Sequence, residues 1–122
     1  MYIDGFILPI PSDSIEQYQK VAEQVGAIWK EYGAVAYYEC VGDDFSLQGV
    51  KSFVDITHTQ PDEVVIFGWA VFPSKEVRDK ANAEVPKDPR MAKLVAPLTQ
   101  GERVIFDASR MVYGGFHTLV EK

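Results

Sequence analysis

The chain has 122 residues, with 12 lysines and arginines against 18 aspartates and glutamates, which gives a formal charge of −6. This acidic balance lacks the basic surface that would neutralise nucleic-acid phosphates, and it disfavours anionic membranes, so neither is an expected partner. Because Cys40 is the single cysteine and the first residues lack the features of a signal peptide, we expect one cytoplasmic domain over residues 1–122 without an internal disulfide.

The first two predicted β-strands flank a helix. Residues 2–8 alternate between two sets of side chains, and Pro9 and Pro11 are expected to end this strand because neither can donate to a neighbouring strand. Residues 35–41 form the next predicted strand, which the glycine and aspartates of residues 42–44 end.

The helix between these strands is predicted to begin at Ser12 or Ser14 and to stop at Gly33. Ser14 and Gln17 have the spacing of a capping box. Its apolar residues recur every three or four positions and therefore share one face for about five turns. They are Ile15, Tyr18, Val21, Ala22, Val25, Ile28, Trp29 and Tyr32.

The central stretch, residues 64–72, has no charged residue and is rich in β-branched and aromatic types, which predicts a strand buried on both faces. It follows an irregular excursion over residues 44–62, with a short turn of helix near Val54. One side of the strand is compact and is expected to lie beneath helices, whereas the other presents a large apolar surface. The compact side carries Ile66, Gly68 and Ala70, and the large side carries Val65, Phe67, Trp69 and Val71.

Two shorter helices are predicted after the central strand. Ser74 is expected to cap the first, and Pro86 to end it. Asp88 and Pro89 are expected to begin the second as N-cap and first helical residue, and Pro97 to close it. The inward residues are Val77, Ala81 and Val85 in the first helix, and Met91, Leu94 and Val95 in the second.

The end of the chain predicts a brief edge strand at residues 104–106 and a last strand over residues 111–120, in which Gly114 and Gly115 indicate a bulge or close backbone packing. The order strand, helix, strand, strand, helix, strand is that of the split βαβ motif. The sequence therefore predicts an α+β protein with a ferredoxin-like βαββαβ antiparallel sheet and its helices on one face.

The apolar outward side of the central strand predicts a homodimer. Left exposed, it would form a hydrophobic patch too large for a stable monomer. A second copy packed sheet to sheet would cover it, and we expect the two sheets to enclose a partly apolar space that binds a small molecule.

The inventory of reactive groups excludes several classes of enzyme. The two histidines, His58 and His117, are far apart, and no spacing of histidine, cysteine or carboxylate residues suggests a metal site. No phosphate-binding loop, dinucleotide fingerprint or serine nucleophile elbow is present. We therefore expect neither a metal nor another cofactor.

The candidate ligand-binding residues are the polar and aromatic side chains expected to share the sheet face that carries Trp69. They are Asp4, Phe6, Tyr37, Glu39, Phe67, Trp69, Tyr113 and His117. An apolar space with a few carboxylates, phenols and an imidazole is typical of a small-ligand site.

Each candidate also has a structural alternative. Phe67 and Trp69 are the kind of residues that pack a core or a dimer interface, and Asp4 could instead pair with Arg110. Glu39 and His117 could be solvated, as could His58 in its polar loop, and the Asp88–Arg90 pair could be a cap with a salt bridge.

Several stretches resemble one family of small bacterial proteins over essentially the whole chain. They are residues 2–6, Glu39 with residues 42–44, residues 65–69, residues 73–75 with Arg78 and Asp79, residues 88–91, and residues 110–116. The chain is similar to the YbaA-like domain of unknown function, within the dimeric α/β-barrel superfamily. The resemblance implies the same fold and dimer, and it supplies no known reaction.

The wider superfamily includes cofactor-independent monooxygenases, isomerases of small lactones and haem-degrading enzymes. The haem-degrading members use an Asn, a Trp and a His around the cofactor, whereas this chain has Asp79 where the histidine would follow Trp69. Haem is therefore disfavoured, and a monooxygenase-like or isomerase-like activity rests on analogy of fold.

Two hypotheses of function follow. In the first, the protein is an enzyme for a small apolar or aromatic substrate, with Asp4, Glu39 or His117 transferring a proton between walls made by Phe67, Trp69 and Tyr113. In the second, it is a non-catalytic dimer that binds a small metabolite or a protein partner, and the same aromatic residues are packing.

Overall fold

In a computed structural model that describes residues 1–122, one antiparallel sheet has the strand order β2-β3-β1-β4. The strands are β1 (Tyr2–Pro11), β2 (Ala36–Val41), β3 (Glu63–Phe72) and β4 (Val112–His117). The helices are α1 (Ile15–Glu31), the short α2 (Phe53–Thr57), α3 (Lys75–Glu84) and α4 (Pro89–Thr99). The predicted ferredoxin-like βαββαβ sheet is confirmed, as is the turn of helix near Val54.

The two faces of the sheet differ in what covers them. The helix-facing side of β3 carries Ile66, Gly68 and Ala70, as predicted, and it packs into the core with Leu8 and Ile10 of β1. The other side, here called the open face, leaves Phe67 40% exposed. Because α2 lies against one end of β1 and β3, Val65 is nevertheless buried on that face.

Helix α1 packs against the sheet and buries three of its 17 residues. Tyr18, Gly26 and Ile28 are its buried residues. The predicted capping box is wrong: Ser14 makes no side-chain cap, because its hydroxyl donates to the neighbouring Asp13 carboxylate (3.3 Å). Gly33, with φ of +119°, ends the helix as predicted because this left-handed conformation suits glycine.

The predicted starts of α3 and α4 are confirmed. The Ser74 hydroxyl accepts from the Val77 amide (3.2 Å), and the Asp88 carboxylate accepts from the Arg90 amide (2.9 Å). Pro97, however, lies inside α4, which continues to Thr99. A proline removes one backbone hydrogen bond, and the helix continues through it because the next residue, Leu98, is buried in the core.

The edge strand expected at residues 104–106 is not formed. The amides of Ile105 and Phe106 both donate to the carbonyl of Leu98, at 2.9 and 3.0 Å. Those amides therefore tie the segment to the end of α4, and Ile105 enters the core as a loop residue.

Strands β1 and β4 also differ from their predicted lengths. β1 runs through Pro9 to Pro11, because β4 begins opposite Ile7 and leaves that half of β1 as an edge, where a proline is tolerated. β4 ends at His117 rather than at residue 120. No helix in the structure has both the length and the apolar composition needed to cross a bilayer.

Candidate functional site

A cavity of about 510 Å³ lies between the helix-facing side of the sheet and the helices. We call it the inner cavity. Most of its lining residues are hydrophobic, and aromatic side chains from the sheet, α1 and the loop after α4 form much of the wall. The aromatic residues are Phe6, Tyr18, Trp29, Tyr37, Phe106 and Tyr113. Met91, Val95 and Leu98 of α4 close the opposite side.

Glu39 enters one end of the inner cavity between two tyrosines. The Tyr37 hydroxyl donates to Oε2 of Glu39 at 2.6 Å, and the Tyr18 hydroxyl of α1 donates a short hydrogen bond to Oε1. Tyr37 and Glu39 are two residues apart on β2 and therefore point to the same side of the sheet. The carboxyl group is thus held on both oxygens by phenols.

Gly26 makes room for this arrangement on α1. A Cβ atom added at Gly26 would lie 2.6 Å from Cδ1 of the Tyr37 ring. The absence of a side chain there allows the ring to lie directly against the helix, and this position brings its hydroxyl to Glu39.

The Glu39 carboxyl group has an unusual electrostatic environment. Burial raises the pKa of Glu39, and the hydrogen bonds from Tyr18 and Tyr37 only partly oppose that rise. Burial and the neighbouring carboxylate also raise the pKa of both tyrosines, which therefore stay protonated. None of the ion pairs of the protein involves Glu39. A carboxyl group with a raised pKa can both accept and return a proton.

Asp4 lies at the other end of the inner cavity, and its charge is compensated. Nε of Arg78 donates to both Asp4 oxygens, at 2.9 and 3.1 Å, and the Tyr113 hydroxyl donates to Oδ1 at 2.8 Å. Nη2 of Arg78 donates in turn to the Tyr113 oxygen at 2.7 Å. The Arg78 guanidinium lies over the Tyr2 ring, 4.8 Å from its centroid.

Gly115 provides the space for this ion pair. It stands opposite Asp4 in the sheet, and a Cβ atom there would lie 2.6 Å from the Tyr2 hydroxyl and 2.7 Å from Nη2 of Arg78. The close packing predicted for the glycine pair is therefore confirmed. The alternative pairing of Asp4 with Arg110 is wrong, because Arg110 binds Glu63 at 2.6 and 2.9 Å.

The structure brings together part of the predicted site. Asp4, Phe6, Tyr37, Glu39 and Tyr113 all line the inner cavity. His117 does not: it is exposed at the end of β4, opposite Tyr2.

The expectation that these residues share a face with Trp69 is wrong. Asp4 stands opposite Ala70, and Phe6 opposite Gly68, so that Phe67 and Trp69 point away from the cavity, onto the open face. Because side chains alternate along a strand, an assignment shifted by one residue moves a whole set to the other face.

Several cavity residues were not among the predicted site residues. Tyr18 and Trp29 were recognised only as members of the apolar stripe of α1, and Asn82 of α3 received no role. Arg78, which does not line the cavity but binds Asp4, received none either. The side chains of these residues meet those of the sheet only in the folded chain, so that no local spacing marks them.

A second cavity, the outer groove, has a volume of about 550 Å³ and lies between α1 and the edge strand β2. It shares Tyr18, Ala22, Tyr37 and Glu39 with the inner cavity, and Glu23 and Lys30 of α1 line it as well. The Tyr18–Glu39–Tyr37 cluster therefore forms part of the wall between the two cavities, and Glu39 borders both.

The other reactive side chains lie outside this site. No group of three or more histidine, cysteine, aspartate or glutamate residues could hold a metal ion. His58 ends α2 with a left-handed backbone conformation (φ of +52°) and is exposed, as is Cys40. Asp88 and Arg90 form the predicted cap and salt bridge, and Arg90 also binds Glu31 at 2.9 Å.

Comparisons with known proteins place the chain among relatives of unknown function. A family model described as "Protein of unknown function (DUF1428)" matches residues 1–108. The uncharacterised protein YbaA of Escherichia coli K12 is 36% identical over 121 residues, which are 99% of this chain and 98% of YbaA. The same identity and coverage are found with YbaA of Shigella flexneri.

Solved structures show the same fold at low sequence identity. A NIPSNAP family protein of unknown function from Agrobacterium tumefaciens has a TM-score of 0.54 and 21% identity, with 95% of this chain and 86% of that chain covered. An uncharacterised NIPSNAP domain protein from Burkholderia xenovorans has a TM-score of 0.51 and 11% identity, with 97% and 94% covered.

Proposed function

The chain belongs to the DUF1428 family of proteins of unknown function, and we propose that it binds a small apolar or aromatic molecule in the inner cavity and that Glu39 exchanges a proton with it. The observation that carries this proposal is a part-buried carboxyl group without a cationic partner in the wall of a largely apolar cavity. Such a group is costly to bury, and a structural role alone would be met by a neutral side chain.

Among the three candidate proton-transfer residues, Glu39 is the one that the contacts favour. Asp4 is neutralised by Arg78 and shielded by Tyr113, and His117 does not line the cavity. In an isomerase-like reaction, the Glu39 carboxylate would take a proton from a carbon beside a carbonyl group and return it to another atom of the same molecule. Atoms and charge then balance without a further reactant.

Deuterium exchange tests the catalytic part of this proposal. We expect the wild-type protein to accelerate the exchange of α-protons of 2-tetralone in D₂O, followed by NMR. Glu39→Gln should lower the protein-dependent rate roughly 100-fold or more. Glu23→Gln, which changes an exposed carboxylate of the outer groove, is the matched control and should leave the rate unchanged.

A thermal-shift screen of lactones, quinones and aromatic ketones tests the binding part. A ligand-dependent rise in Tm that disappears when Ala22→Trp fills the cavity supports the site, because Ala22 lines it. The absence of any shift with the wild-type protein would contradict the binding of these three ligand classes. Binding without exchange that depends on Glu39 would contradict the catalytic part and would favour the non-catalytic ligand-binding protein.

We also propose that the chain forms a homodimer through the open face. Tyr38, Trp69, Phe67 and Phe53 form a continuous row there, with successive ring centroids 5.1, 5.1 and 5.7 Å apart. Tyr38 and Phe116 on this face are 53% and 60% exposed. A second copy would cover an apolar surface of this kind. Sedimentation at micromolar concentration should give twice the monomer mass, and a monomer would contradict the proposal.

A further inference from the structure

The charges around the inner cavity are all of one sign. Asp4 and Glu39 are its only acidic lining residues, and no lysine, arginine or histidine lines it. The guanidinium of Arg78 reaches Asp4 from the side of α3, but it is shared with Asp79, to which Nη1 donates at 2.9 Å. An anionic ligand would therefore meet a carboxylate with no free cation to bind it.

The aromatic walls of the inner cavity favour a positively charged ligand. The faces of aromatic rings carry partial negative charge and attract ammonium groups within about 6 Å of the ring centroid. Tyr18 and Tyr37 flank Glu39, and the Phe6 ring lies 6.5 Å from that of Tyr37. Aromatic rings around a carboxylate are a typical environment for an organic cation.

Glu39 has acceptor capacity left for such a ligand. Each of its oxygens receives one phenolic hydrogen bond. A carboxylate has about four lone-pair sites, so that about two remain for a ligand N–H donor. The same two tyrosines fix the carboxylate in place, which lowers the cost of ordering it on binding.

We propose that the ligand of the inner cavity is a primary or secondary amine on an apolar or aromatic body, bound with its ammonium group at Glu39. This inference rests on the proposed function and names its ligand class. With such a ligand Glu39 can also exchange the proton on nitrogen: an N–H bond breaks and an O–H bond forms at Glu39, which leaves a neutral amine and a neutral carboxyl group in the apolar cavity. The reverse transfer restores the ion pair.

Three ligands of equal ring size but different charge test the inference. We propose isothermal titration calorimetry at neutral pH with 1-naphthylmethylamine, 1-naphthalenemethanol and 1-naphthoate. The amine should bind roughly tenfold more tightly than the alcohol, since a partly desolvated ion pair with cation–π contacts contributes about 1–2 kcal/mol, and the acid should bind most weakly.

Substitutions locate the source of the preference. Glu39→Gln keeps the size of the side chain but removes its charge; its carbonyl oxygen can still accept from one tyrosine and its amide group can donate to the other. It should abolish the preference for the amine while the alcohol still binds. Glu23→Gln should keep the preference. Far-ultraviolet circular dichroism and Tm establish that both variants are folded.

The outcomes separate this inference from the function on which it rests. Equal binding of amine and alcohol, tighter binding of the naphthoate, or an amine preference that survives Glu39→Gln would overturn the inference while leaving a ligand-binding cavity in place. Failure of all three naphthyl compounds, together with every lactone, quinone and ketone of the first screen, would overturn the proposed function as well.

Discussion

Glu39 and Asp4 show how two carboxylates in one cavity receive different roles from their neighbours. Asp4 has an arginine and a phenol, whereas Glu39 has two phenols and no cation. Burial raises the pKa of Glu39 because the low dielectric penalises its charged form. The two carboxylates therefore differ electrostatically because of Arg78. This residue belongs to α3, whereas Asp4 lies on β1 and Glu39 on β2.

The raised pKa of Glu39 predicts a pH dependence of stability. The native protein keeps the Glu39 proton at pH values where the unfolded chain, with its ordinary pKa of 4.5, has released it. The stabilisation from this group is therefore complete below that pKa and is lost as the pH rises through the folded-state value. Glu39→Gln should remove this dependence.

Urea unfolding at a series of pH values checks the pH dependence that Glu39 is expected to cause. As the pH rises above 4.5, the wild-type free energy of unfolding should fall relative to that of Glu39→Gln, by at most about 1.4 kcal/mol per pH unit. Tyr18 and Tyr37, which face Glu39, do not titrate in this range because their pKa values are raised. Wild-type stability that rises relative to the variant would contradict the assigned sign.

At the other end of the cavity, we expect the substitution Arg78→Met to cause a large loss of stability. The Asp4 side chain is 9% exposed and that of Arg78 16%, so that the variant would leave a buried carboxylate without its cation. We expect the free energy of unfolding to fall by about 3 kcal/mol. Arg103→Met, which breaks the exposed pair with Asp13, is the control and should leave it close to the wild-type value. Similar effects of the two variants would contradict a buried ion pair.

At the scale of elements, two serines that look alike in the sequence have different roles at the starts of their helices. Ser74 and Ser14 both precede helices, but only the Ser74 hydroxyl accepts a backbone amide hydrogen. Ser14 is the last residue of a 3-10 turn over Ser12–Ser14, so that its backbone is not in the extended conformation of an N-cap.

The two serines form a matched pair for measurement. Ser74→Ala should lower the free energy of unfolding by about 1 kcal/mol, because the Val77 amide loses its acceptor. Ser14→Ala should change it by less than about 0.5 kcal/mol. Thermal or urea unfolding checks both, and an equal loss in the two variants would show that the capping bond is not what stabilises α3.

The sequence was sufficient to predict the order of the elements. It was also sufficient to assign the two sides of β3, because Ile66, Gly68 and Ala70 alternate with larger residues. It was insufficient for β1, where both sides are apolar: Phe6 and Leu8 alternate with Ile3 and Ile7. With no polar side to compare, hydrophobicity cannot decide which set lies beneath the helices. Only the pairing with β3 places Asp4 and Phe6 there.

At the scale of the whole molecule, the inner cavity and the open face lie on opposite sides of one sheet. The sequence pattern predicts a ligand site between two sheets, because the aromatic residues of β3 are interpreted as cavity walls. The tertiary contacts that enclose the actual cavity come from α1, α3 and α4, and they span long sequence separations. The proposed ligand binding and the proposed dimer formation should therefore be separable by substitution.

Phe116→Glu should separate them. Phe116 stands opposite Ile3 on the open face and is 60% exposed, so that its replacement removes little packing within one chain. In a homodimer through this face, two buried glutamates would oppose each other across an apolar interface. The dissociation constant should rise about 30-fold or more, which corresponds to a loss of about 2 kcal/mol.

Leu119→Glu makes the same charge change beyond the end of β4, where the side chain is 90% exposed, and should leave the dimer intact. Sedimentation equilibrium of both variants and the wild type decides between these outcomes, and a Phe116→Glu protein that remains as dimeric as Leu119→Glu would place any dimer interface elsewhere.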